Sequence, residues 1–316
     1  MVKRLFVKDK WLPQFIVCLW KGAARVPLRG LHGLAWLLGR ALWGIKGREQ
    51  QVTRTNLSLC YPRLTKQERS RMERQSLSAS AATMLELGVM WFGPLDKTLA
   101  LIKRVHGIEH LEAALKPGQG VVLLAPHIGN WELLNLWLSK RHAFTAMYAP
   151  PEMASLDVHI RGGRERAGAH LVPTDRRGVM QLMKALKRGE MVGVLPDQEP
   201  EPGQGGCFAP FFGIPAYTAT LLPKLISRSG ARAVIGLARR LPGGGGFELI
   251  FLPPDERVYS EDEVVAAAGA NACVERAIVE TPLQYQWEYK RFRERPGDTY
   301  KFYERIRKRK KKKKKA

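Results

Sequence analysis

Acidic residues are scarce in this chain. It holds 29 Asp and Glu against 52 Lys and Arg over 316 residues, a formal net charge of +23. Such a balance favours anionic partners, and nucleic acid, anionic lipid and an acidic carrier protein all qualify. Arg305 to Lys315 hold ten of the basic residues and no acid, and without them the charge is still +13, so the body is basic in its own right. Cysteines are few as well. Cys18, Cys60, Cys207 and Cys273 have no metal-like spacing and read as reduced thiols in a chain facing the cytosol. No Gly-x-Gly-x-x-Gly, Gly-x-x-x-x-Gly-Lys-Ser/Thr or Gly-x-Ser-x-Gly occurs, which argues against a nucleotide-dependent or hydrolytic α/β enzyme.

Long apolar runs are also missing. Trp11 to Trp20 is apolar but is followed by Lys21, Arg25 and Arg29, and Leu31 to Leu38 stops at Gly39 and Arg40. Neither approaches the roughly 20 residues that span a bilayer. No small-residue cleavage site follows, so no secretory signal is expected. Trp and Leu interleaved with Lys and Arg fit helices lying in the membrane interface, or equally an amphipathic helix packed on the rest of the chain. The expected organisation is a membrane-associating helical segment over 1–45, an α/β domain over 46–303, and a disordered basic tail over 304–316.

Residues 50–106 read as helical; Glu86, among neutral neighbours, reads as a helix-surface carboxylate without a role. From residue 119 strands and helices alternate. Strands are expected at Val121–Leu124, Phe144–Tyr148, His170–Val172, Met191–Leu195, Ala233–Leu237 and Phe247–Leu252, the last two joined by a hairpin turn at Gly243–Gly246. Helices are expected at Trp131–Ser139, about 154–167, Arg177–Lys187, Tyr217–Arg228 and 261–292. The pattern predicts an α/β fold with a largely parallel sheet flanked by helices. In such sheets ligands bind beyond the carboxyl ends of strands, and His127 and Asp197 each follow a strand, on one rim.

The stretch Val-Val-Leu-Leu-Ala-Pro-His-Ile-Gly-Asn-Trp-Glu, residues 121–132, carries the chemistry. Pro126 stops the strand, and Asn130 caps the following helix. Within one regular helix His127 and Glu132 would lie roughly 140° apart. With His127 in the turn and Glu132 in the first helical turn, the ring can fold back onto the carboxylate. Glu132 would then fix one ring nitrogen and leave the other to take a proton from a hydroxyl. The spacing alone fits a satisfied core histidine equally well. Asp197 fits a turn-capping aspartate, and Arg164, between Arg161 and Arg166, fits a solvated charged face or a bidentate phosphate clamp. Gly203–Gly206 reads as part of a rim or lid. Tyr285, Trp287, Tyr289 and Phe292 among Lys290, Arg291 and Arg293 fit core packing better than base stacking.

Pro126-His-Ile-Gly-Asn-Trp-Glu132 resembles the signature of the bacterial lipid A secondary acyltransferases, relatives of the glycerolipid acyltransferases that share a His-x4-Asp/Glu motif. Further matching stretches follow in order: Arg54-Thr-Asn-Leu near Tyr61-Pro62, Gly163-Arg164-Glu165, Leu195-Pro-Asp-Gln198, Phe208 to Gly213 with Pro215 to Thr218, and Gln284-Tyr-Gln-Trp287 with Lys290-Arg-Phe292. The resemblance implies transfer of a fatty acyl chain from an acyl carrier protein thioester to a hydroxyl of a lipid A precursor, at the cytoplasmic face of the inner membrane. It implies His127 and Glu132 as the catalytic pair. Arg164, Asp197 and Asn130 are expected at the substrate. No cofactor, metal or nucleic acid is required. Two alternatives stay open: another glycolipid or phospholipid acceptor, or a non-catalytic basic protein that binds membrane or nucleic acid.

Overall fold

The computed structural model describes residues 3–201, 205–297, 301–304 and 306, with side chains from residue 11 onward. The helices are α1 (Lys3–Ala23), α2 (Leu28–Ile45), α3 (Arg48–Cys60), α4 (Lys66–Phe92), α5 (Leu95–Leu99), α6 (Ile108–Leu115), α7 (Trp131–Ser139), α8 (Asp157–Glu165), α9 (Arg176–Lys187), α10 (Leu221–Ser229) and α11 (Glu263–Glu280). The strands are β1 (Ile102–His106), β2 (Val121–Leu124), β3 (Phe144–Tyr148), β4 (His170–Pro173), β5 (Met191–Val194), β6 (Gly206–Phe211), β7 (Ile214–Ala219), β8 (Arg232–Arg240) and β9 (Phe247–Leu252).

Seven strands form one sheet in the order β1-β9-β8-β2-β5-β3-β4. Neighbours are parallel except β8 and β9, which form the expected antiparallel hairpin around Pro242–Gly244. The sheet is therefore largely parallel and flanked by helices. Strand β2 shows how the layers are divided. Its residues are all buried, and alternate side chains leave a strand on opposite faces. Val122 and Leu124 join one core with Leu57 of α3, Leu182 of α9, Leu225 of α10 and Val274 of α11. Val121 and Leu123 join the other with Met90 of α4, Leu111 of α6 and Leu133 of α7. A strand buried on both sides needs an unbroken aliphatic run, as Val-Val-Leu-Leu provides.

Three expectations are corrected. The stretch read as helical to residue 106 ends in β1, an edge strand paired with β9 over a hundred residues away, a pairing that no local pattern announces. Tyr217 lies in β7, which pairs with β6 as a separate antiparallel ribbon, and the helix begins only at Leu221. Alternation of Ile214, Ala216 and Thr218 with more exposed neighbours is the strand signal there. The last long helix stops at Glu280, and residues 285–292 run irregularly with Tyr285, Trp287 and Phe292 buried, as the packing reading expected.

Helices α1 and α2 lie against α4. Buried Leu28, Leu31, Ala35 and Gly39 face it, and a Cβ on Gly39 would fall 2.4 Å from the Cα of Ser78, so only glycine permits this approach. Trp20 of α1 meets Trp91 of α4 edge-on, with ring centroids 5.0 Å apart. The outer faces expose Trp11, Phe15, Leu19, Trp36 and Leu37. Among the described residues no helix is long and apolar enough to cross a membrane. The basic tail expected over 304–316 lies outside the described residues apart from Glu304 and Ile306.

Candidate active site

Strands β2 and β5 are parallel neighbours with Leu124 opposite Val194, and each ends on the same rim. The chain leaving β2 reaches His127, and the chain leaving β5 reaches Asp197. Asp197 holds His127 twice: its Oδ1 is 2.9 Å from the ring Nδ1, and its Oδ2 accepts from the His127 backbone N–H at 3.1 Å. A carboxylate on Nδ1 fixes the proton there and leaves a lone pair on Nε2. The side-chain amide nitrogen of Gln198 lies 3.3 Å from that Nε2. Burial would push the Asp197 carboxyl up, but the charge and hydrogen bonds of His127 outweigh it, and the group sits below the ordinary aspartate value. It remains a carboxylate throughout the neutral range.

The expected contact between His127 and Glu132 is not formed. Glu132, 2% exposed in the first turn of α7, is instead gripped by Arg164 of α8. The guanidinium Nε donates to both carboxylate oxygens at 2.9 and 3.1 Å, and Nη2 donates to Oε1 at 2.5 Å. The indole N–H of Trp91 adds a bond at 3.2 Å. The carboxylate thus has its own cation and does not need the imidazole. Burial would lower the pKa of Arg164, yet the Glu132 charge wins and raises it. Arg164 is therefore neither a solvated surface charge nor a clamp with both prongs free; no partner occupies its Nη1 among the described residues. The position of α8 follows from a small residue, because a Cβ on Gly163 would lie 2.5 Å from the Trp91 side chain.

Asn130 caps α7 as expected, accepting from the Leu133 N–H at 2.9 Å. Its amide nitrogen donates to Glu86 at 2.9 Å, so Asn130 turns inward instead of lining the substrate space. Around it, the N–H groups of Gly129 and Asn130 bond to the carbonyls of Gln284 and Ala238, and an isolated bridge joins Ile128 to Tyr285. Among the described residues, the first-turn amides of Trp131 and Glu132 have no partner, the state normal at a helix start.

His127, Trp131, Glu132, Arg164 and Gln198 line one wall of a cleft of about 1090 Å³. The remainder is predominantly aliphatic and aromatic, including Leu134 of α7, Phe144 and Ala146 of β3, and Leu222 of α10. Gly193 of β5 also opens onto it, where a Cβ would lie 2.5 Å from the Phe144 ring. The site joins an imidazole to a largely apolar space, which suits an apolar substrate group.

Residues 2–294 match the profile of the family described as bacterial lipid A biosynthesis acyltransferase. The chain belongs to that family. It is an O-acyltransferase. A lipid A biosynthesis lauroyltransferase of Escherichia coli K12 is 30% identical over 273 residues, covering 86% of this chain and 88% of that protein. A palmitoleoyltransferase of the same pathway and organism is 29% identical over 290 residues, 90% of this chain and 92% of that one. A phosphatidylinositol mannoside acyltransferase of Mycobacterium tuberculosis is 30% identical over 131 residues, covering 40% and 41%.

Sequence reasoning about this acyltransferase missed Glu86. The side chain is fully buried in α4, where Arg240 of β8 and His32 of α2 meet it. Signals were present: an acid inside a largely apolar helical stretch, an arginine at the end of a buried strand, and one histidine in an otherwise apolar run.

Proposed function

We propose that this acyltransferase moves a fatty acyl chain from the thioester of an acyl carrier protein to a hydroxyl on the 3-hydroxyacyl chain of a lipid A precursor, at the cytoplasmic face of the inner membrane. The observation that carries this reading is His127, held by Asp197 at Nδ1, with Nε2 at the wall of an apolar cleft. His127 Nε2 removes the hydroxyl proton, the oxygen attacks the thioester carbon, and a tetrahedral oxyanion forms. The C–S bond then breaks, and the proton passes from His127 to the departing thiolate. Asp197 takes the orienting part that the spacing had suggested for Glu132. Amides at the start of α7 are the supporting donors for the oxyanion. Glu132 holds Arg164 at the mouth, and the Nη1 of Arg164 meets a phosphate of the acceptor. The relatives named for lipid A biosynthesis support the acceptor class, and the net charge of +23 suits an acidic carrier. Mass spectrometry of lipid A from cells with and without the protein tests it directly. An unchanged acyl pattern would overturn the reading.

The apolar cleft should set chain length. Ala146→Phe adds a ring to it and should lower kcat/KM for long acyl thioesters at least tenfold while sparing short ones, since filling a packed apolar site with extra carbons costs about 1–3 kcal/mol. Competition between thioesters of two lengths in one reaction reads this out.

The membrane reading rests on the outer faces of α1 and α2. Trp11, Phe15, Trp36 and Leu37 point away from α4, and interfacial attachment scales with apolar area placed in the lipid. Replacing all four with Glu should release the protein from vesicles while leaving the helical circular dichroism signal intact. Deleting 1–45 is the poorer test, because it would strip α4 of buried Leu28, Leu31 and Ala35.

A further inference from the structure

Glu86 is fully buried in α4 and accepts bonds from three separate elements. Arg240 at the end of β8 donates to it through Nε and Nη2, and Nη2 also reaches the Thr83 hydroxyl at 2.8 Å. Asn130 donates at 2.9 Å from the turn that follows His127. His32 of α2 places its Nε2 2.7 Å from the carboxylate. The other nitrogen of His32 accepts the Gly244 N–H at 3.1 Å, so the proton lies on Nε2 and is donated to Glu86. One turn earlier on α4, the Thr83 hydroxyl donates to the carbonyl of Gly129 at 3.1 Å. One turn later, Trp91 holds Glu132.

A buried carboxylate with this many donors is more than a neutralised charge. Burial alone would raise its pKa, but Arg240 and the bonds from Arg240 and His32 hold it below the ordinary glutamate value. An ion pair with Arg240 would have been complete without Asn130 or His32. Both extra bonds lead somewhere: Asn130 sets the entry of α7, with His127 three residues before it and Glu132 two after, and His32 sits on the helix whose outer face carries Trp36 and Leu37.

We infer that Glu86 is a positioning residue that fixes the His127–Glu132 turn through Asn130 and ties that turn, through His32, to the apolar helix α2. Seating α2 on a lipid surface then steadies the reacting groups, so the transfer rate depends on lipid contact as well as on substrate supply. The inference rests on His127 being the reactive base.

Two side chains separate this role from simple stability. Asn130→Ser keeps a good cap for α7 but removes the donor to Glu86. It should lower kcat by about 10- to 100-fold with KM for both substrates within twofold, since a small misplacement of reacting groups costs about that much. His32→Ala should lower kcat and flatten its rise when anionic lipid vesicles are added to the assay. His32→Gln, which can still donate to Glu86, should restore both. Val274→Ala, a core truncation in α11, serves as the stability control and should keep wild-type kcat at a comparable loss of Tm. His127→Ala is assayed alongside. If His127→Ala is inactive while Asn130→Ser and His32→Ala turn over at the wild-type rate, the positioning role is wrong and the base assignment stands. If His127→Ala is fully active, the base assignment itself has failed. A drop in kcat for Val274→Ala equal to that of Asn130→Ser, at the same Tm, would also overturn the inference by reducing it to stability.

Discussion

His127→Ala should reduce acyl transfer by about 10² to 10⁴, the usual contribution of a positioned general base, with the fold kept. The ring is partly buried and makes one strong bond, to Asp197, whose carboxylate keeps the backbone N–H of residue 127 as a partner after the ring is gone. Asp197→Asn should be nearly as damaging for a different reason. The amide oxygen or nitrogen can face Nδ1, so the tautomer is no longer imposed and the imidazolium formed during proton transfer loses its counter-charge. Steady-state rates with purified, folded variants check both. Near wild-type transfer by His127→Ala would sink the proposed chemistry.

Arg164→Ala should be the most destabilising single change at the site. It leaves the buried Glu132 carboxylate with only the Trp91 N–H, and breaking a buried pair on one side costs about 3–5 kcal/mol. Adding Glu132→Gln should recover most of the stability by removing the orphaned charge, but not the activity, because the proposed phosphate contact still lacks its guanidinium. Thermal melts of the single and double variants, paired with rates at varied acceptor, distinguish the two effects. A double variant that melts as low as Arg164→Ala would show that the orphaned charge is not the cause of the loss.

What the sequence reveals here is set by distance along the chain. The β2–turn–α7 unit was legible because its signals are local: an aliphatic run, Pro126, a capping Asn130 and an apolar helix. The rim shared by His127 and Asp197 followed from the rule for parallel sheets. The hydrogen-bond partners did not. Glu132 is five residues from His127 and Asp197 is seventy away, yet adjacency of β2 and β5 brings the distant carboxylate to the ring while Arg164 claims the near one. Spacing along one segment cannot weigh a competitor from another. Glu86 was missed for the same reason, since its partners come from α2, β8 and the turn before α7. The small ribbon β6–β7 was obscured because its Pro and Phe residues read first as a motif.

The strand order has a consequence for how the molecule is made. β2 is the first strand of the catalytic rim to leave the ribosome, but its sheet neighbours are β5 and β8, and β8 emerges about a hundred residues later. Until then one edge of β2 offers bare backbone groups. The turn carrying His127 waits longer still, because its amides bond to Ala238 and Gln284 and the His127 carbonyl accepts from Gln286. A nascent or clipped chain ending before residue 284 therefore contains every side chain assigned to the chemistry and lacks the backbone partners that shape their turn. Synthesis itself keeps the His127 turn unassembled until the last strand and the segment behind it have arrived, and the open edge of β2 is exposed to aggregation until β8 docks.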